Sequence, residues 1–187
     1  MPSATAERSI PLLVLGLGNL LCGDDALGPE AVRILAEECE FPDGVRVLDG
    51  GTLGLSLLPH VLEARNVILV DAIRENGPPG ALVRIEGEDV APAVARRLSP
   101  HQVGVADLLD AARLLDRYPE RLVLHGLVPR SLELGLGLSP AVAASLPELL
   151  RRVVAEAESL GFVFVGRSTS AGTWRAYRPG VALGVGV

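Results

Sequence analysis

Asp24, Asp25, Asp71 and His101 are the side chains of this sequence best suited to joint chemistry. The two adjacent acids lie in Leu12-Val-Leu-Gly-Leu-Gly-Asn-Leu-Leu-Cys-Gly-Asp-Asp-Ala-Leu-Gly-Pro29. That segment reads as a buried strand, a glycine-and-asparagine turn, the acids, and then a helix start. Asp71 ends a second apolar run, Asn66-Val-Ile-Leu-Val-Asp-Ala72. Both acid sites therefore fall beyond the carboxyl end of a strand, where open α/β sheets keep their ligands. His101, in Leu98-Ser-Pro-His-Gln-Val-Gly104, precedes a helical pattern beginning at Val103. A helix N-terminus disfavours the imidazolium, so this histidine tends toward the neutral form that ligates metals. Two carboxylates and an imidazole are a mixed oxygen and nitrogen set suited to a first-row divalent ion. Three protein ligands leave coordination positions open, as a catalytic or recognition site requires.

Each residue also has a plainer role. Asp24 and Asp25 would favour a helix start through the dipole alone, and either could be the acid of the site. His125 alternates with Val123 and Leu127 and reads as a core histidine; His60 falls on a helix and reads as surface or packing. Cys22 lies near the acids, but no histidine adjacent in sequence would activate it, so a structural role is preferred. Gly16-Leu-Gly18 begins a dinucleotide fingerprint, yet Leu21 stands where its third glycine belongs. Two acids beside an anionic pyrophosphate argue further against that cofactor. Asp49-Gly-Gly-Thr52 matches an aspartic protease motif only loosely and has no symmetric partner.

The elements that must hold these residues alternate between strand and helix. Apolar runs at residues 11–17, 45–48, 66–72 and 121–128 read as strands. A further strand at 81–85 follows the tight turn Asn76-Gly-Pro-Pro-Gly80 and is expected to run antiparallel. Helical spacing marks Ala31, Ile34 and Leu35, then Leu55 to Leu62, then Val103 to Leu115. Pro140 opens a long final helix to about Leu160, at a first-turn position where its missing N–H costs nothing. The fold class expected is α/β, a three-layer αβα sandwich around a mostly parallel twisted sheet of about five strands. One domain is expected over residues 1–187, with a core at about 10–162. Residues 163–187 read as a loose tail or an interface arm.

Composition limits the function. Of 187 residues 49% are hydrophobic and only 3% aromatic, a balance that suits packed parallel strands under helices. The net charge of −6, with arginines dispersed, gives no nucleic-acid footprint. Apolar runs are strand-sized, so no membrane span is expected. The N-terminus lacks the apolar core of a secretory signal, and Cys22 and Cys39 imply neither a disulfide framework nor a zinc knuckle. A cytoplasmic location follows as the expectation.

Gly16-Leu-Gly-Asn-Leu-Leu-Cys-Gly-Asp-Asp-Ala-Leu-Gly28, Leu48-Asp-Gly-Gly-Thr-Leu-Gly54, Val70-Asp-Ala72 and Ser99-Pro-His-Gln102 together resemble the [NiFe] hydrogenase maturation endopeptidases. The resemblance runs from about residue 12 to 160 and includes Gly126-Leu-Val-Pro129. It implies removal of a C-terminal peptide from the precursor of a hydrogenase large subunit, once that precursor carries nickel. It also implies that Asp25, Asp71 and His101 contact the nickel and perform the chemistry. The first of these is Glu in some members; here Asp25 is one methylene shorter, and Asp24 is its rival. Nickel would be supplied by the substrate, completing its coordination on this chain, and no organic cofactor is implied. Neither a serine–histidine–aspartate triad nor H-E-x-x-H is present; hydrolysis by a water near the metal is expected, with Asp25 or Asp71 taking its proton, and a metal that only docks the substrate is the other reading. The alternative is a non-catalytic binding module or chaperone for the metal-loaded precursor.

Overall fold

Near-continuous apolar segments build the centre of a five-stranded sheet. The computed structural model describes residues 8–95 and 104–167. β1 (Ile10–Leu17) and β4 (Ala64–Ala72) are buried along almost their whole length and pair in parallel. β3 (Val45–Gly51) flanks β1, and β6 (Arg121–Leu127) flanks β4, both in parallel. β5 (Leu82–Glu86) closes the other edge, giving the order β3-β1-β4-β6-β5. It is antiparallel, as the turn suggested, but it pairs with β6 and not with the strand before it. Beyond that turn the Gly80 N–H donates to the Val128 carbonyl at 2.8 Å, and the Val128 N–H donates to the Ala81 carbonyl at 2.9 Å. The expected α/β sandwich is therefore the observed fold.

Strand side chains alternate faces, and each face has its own helices. α1 (Leu27–Glu38) and α5 (Pro140–Ser159) cover Leu12, Val14, Ile68 and Val70. α2 (Leu58–Glu63), α3 (Val90–Ala95) and α4 (Val105–Leu114) cover Leu13, Leu15, Val67 and Leu69. α1 approaches the sheet unusually closely because two glycines face each other. A Cβ on Gly28 would lie 2.2 Å from the Leu17 carbonyl oxygen and 2.5 Å from that of Val70.

The packed core extends past residue 162. Phe164 is buried and meets Phe41 edge-to-face, with ring centroids 4.8 Å apart. β7 (Val165–Gly166) then pairs antiparallel with β2 (Cys39–Glu40), and the Arg167 N–H donates to the Glu38 carbonyl. Residues 163–167 thus belong to the domain; the rest of the expected tail lies outside the described residues. Among the described residues, no helix is long and apolar enough to cross a membrane.

Candidate active site at the carboxyl edge of the sheet

β1 and β4 are adjacent and level, with Gly16 opposite Val70, so the chain after each strand emerges at one edge. After β1 the backbone turns at Gly18, whose φ of +138° suits glycine, and a Cβ there would lie 1.8 Å from the Asp25 carbonyl oxygen. The Asn19 N–H donates to that same oxygen at 3.1 Å, and Asn19 Oδ1 accepts from the Leu21 N–H. Residues Gly23–Ala26 form one 3-10 turn that carries both acids into α1 and packs against β4. The loop is folded on itself so that its acids lie over the end of the sheet.

The two acids have different surroundings. Asp24 is 1% exposed. Its Oδ2 accepts from the Arg130 and Ser131 N–H groups at 2.7 and 3.3 Å and from Ser139 Oγ at 2.9 Å. Its Oδ1 accepts from the Ser139 N–H at 2.6 Å. Ser139 is the residue before α5, so this one carboxylate ties the first loop to the segment leading into the last helix. Asp25 is half-buried.

Asp71 is fully buried near the end of β4, and the Ala72 N–H donates to its Oδ1 at 2.7 Å. By strand alternation it shares a face with Val67 and Leu69, the face covered by α3 and α4. His101 lies outside the described residues, in the segment that joins those two helices. The structure thus brings Asp25 and Asp71 to one sheet edge. Among the described residues alone, no group of three histidine, cysteine or acidic side chains could hold a metal.

A cavity of about 210 Å³ adjoins this edge. Leu17, Gly51 and Thr52 line one side, and Ala95, Gly104 and Asp107 the other. Ala95 and Gly104 are the last described residues on either side of the His101 segment. On the β3 side, a register shift after Gly16 places Leu17 opposite Gly51, a bulge of the kind that re-aims backbone beside sites. The sequence signal for that wall is Gly50-Gly51-Thr52, within the Asp49 motif. Asp49 itself turns back to accept the Gly51 N–H at 2.9 Å, which accounts for it as a turn former.

Further titratable groups sit in the core. His125 is buried, its Nε2 3.2 Å from Glu156 Oε2, as a core histidine should be. Burial pushes its pKa below the ordinary value despite that acid. Hydrogen bonds from Arg84 hold the Glu156 carboxyl below the usual range. Cys39 is buried and its thiol is pushed up to about 11, mainly by desolvation.

A family model described as HycI, hydrogenase maturation protease, matches residues 29–156. The chain belongs to the hydrogenase maturation protease family. Hydrogenase 2 maturation protease of Escherichia coli is 38% identical over 157 residues, covering 83% of this chain and 96% of that protein. The hydrogenase expression/formation protein HupD of Rhodobacter capsulatus is 39% identical over 163 residues, covering 86% and 76%. The solved hydrogenase maturating endopeptidase HybD of E. coli superposes with a TM-score of 0.80 at 37% identity, over 84% of this chain and 98% of that one. The acid loop and the end of β4 lie at the carboxyl edge of the sheet.

Proposed function

We propose that this family member removes the C-terminal peptide from the nickel-loaded precursor of a [NiFe] hydrogenase large subunit. Asp25, Asp71 and His101 are the residues assigned to contact the nickel and act on the scissile bond. The observation that carries the assignment is the division of labour between the adjacent acids. Asp24 is committed to four hydrogen bonds with the loop before α5, so Asp25 is the acid of that loop that serves the substrate. Asp71 supports it from the neighbouring strand, and His101 lies on the connection between the helices covering Asp71's face.

Nickel enters as part of the substrate, held by the precursor, with this chain supplying two oxygen donors and one nitrogen. A metal so placed polarises a carbonyl, and a carboxylate beside it accepts the proton of the attacking water. A cytoplasmic site of action goes with this reading, since the nickel-loaded precursor is matured where it is assembled.

The test uses purified nickel-loaded precursor and follows its mass with time. Asp25→Asn, Asp71→Asn and His101→Ala are each expected to fold normally by circular dichroism and to lower the cleavage rate by at least about 100-fold. Cleavage at the wild-type rate by any one of them removes that residue from the site.

A further inference from the structure

Exposed leucines surround the acid edge. Ten large hydrophobic residues are exposed among the described residues, and six of them sit on three loops at this edge. Leu20 and Leu21 are on the acid loop, Leu53 and Leu55 follow β3, and Leu134 and Leu136 precede α5. Leu134 and Leu136 are each 86% exposed, the most of the six.

These loops are fastened to one another. Gly135, between the two most exposed leucines, donates its N–H to the Leu21 carbonyl at 2.9 Å and accepts from the Gly23 N–H at 2.8 Å. Asp24 holds both ends of the same segment through Arg130, Ser131 and Ser139. On the other side the Gly18 N–H donates to the Gly51 carbonyl at 3.0 Å. The leucines are thus presented by backbone that is pinned in place, an arrangement that lowers the ordering cost of binding. Clustered exposed apolar side chains on a fixed frame mark an interaction surface.

The geometry points to this leucine rim as the surface on which the large-subunit precursor docks, through an apolar patch beside its C-terminal extension. This rests on the reading of the site proposed above. Leu21 is four residues from Asp25, so their Cα atoms are at most about 15 Å apart. A protein partner whose scissile bond reaches Asp25 must cover that neighbourhood, and its contact there is with leucine. The acids choose the metal-bearing state, and the rim supplies the affinity for the body of the substrate.

The experiment measures affinity for nickel-loaded precursor of the organism's own [NiFe] hydrogenase, by calorimetry, alongside cleavage. The rim variant is Leu134→Asp/Leu136→Asp. The control is Leu114→Asp/Leu115→Asp, which alters two exposed leucines at the far end of α4. The rim variant is expected to bind at least about 10-fold more weakly and the control as tightly as wild type. Equal binding by wild type and rim variant, or equal loss in both double variants, overturns the proposal. So does a free protein that sediments as a dimer until the rim is substituted, because the leucines would then join two copies of this chain. Leucine-dependent binding without any cleavage would retain the docking surface and reject the proposed peptidase site; cleavage with leucine-independent binding would do the reverse.

Discussion

Asp24 and Asp25 are neighbours in sequence, yet Asp24 is buried and Asp25 only half-buried. Asp24 accepts four hydrogen bonds in a buried junction, and charged acceptors of that kind contribute strongly to stability. Asp24→Ala would leave three backbone N–H groups and one hydroxyl without their acceptor. It is expected to cost about 3 kcal/mol and to lower Tm by roughly 6–12 °C in calorimetry. Asp25→Asn is expected to leave Tm within about 2 °C of wild type while stopping cleavage. A reversed pattern, with Asp25 stabilising and Asp24 catalytic, would exchange their assignments. The sequence made both acids candidates but could not separate them, because the partners that claim Asp24 lie more than 100 residues downstream. His125 was legible as a core residue from its alternation, whereas its partner Glu156 lies on a different element and left no local signal.

At the scale of elements, the close contact between α1 and the sheet depends on Gly28. Alanine is the better helix former by about 1 kcal/mol. At this position, however, its methyl would overlap backbone atoms of Leu17 and Val70, which cannot move aside as a side chain can. Gly28→Ala is therefore expected to lose about 3 kcal/mol net, read as a lower urea midpoint. An unchanged midpoint would show that α1 shifts freely on the sheet. Elements with a strong period were legible: β1, β4, α1 and α5 stand close to where their apolar spacing placed them. What the spacing did not reveal were features set by distant contacts. The β2–β7 pair is two residues long on each side and is fixed by Phe164 packing on Phe41. β5 lies on the outer edge of β6, where Arg84 bonds Glu156 on α5. The apolar spacing did not mark α3.

Across the whole molecule, the buried histidine couples stability to pH. His125 has a folded-state pKa below its unfolded value because burial disfavours the imidazolium. Its contribution is complete above the unfolded value of about 6.5 and is lost as pH falls from there toward the folded value, because the unfolded chain takes up the proton first. Glu156 is also depressed, through its bonds with Arg84, so its contribution persists to lower pH and is lost below its unfolded value near 4.5. The urea midpoint is thus expected to fall between pH 7.5 and 5.5 on account of His125. In His125→Gln that fall should be smaller, and an identical pH dependence in the variant would exclude this histidine as the cause.

The αβα plan places the acid loop and the end of β4 at one edge, and the family identifies the class of partner. We propose that this edge processes a precursor only when the precursor carries nickel. The most direct measurement is the mass of the large-subunit precursor after incubation with the protein, with and without nickel loading. Loss of a C-terminal peptide only from the nickel-loaded form is the predicted result. Equal cleavage of the metal-free form, or an unchanged mass in both, would contradict it.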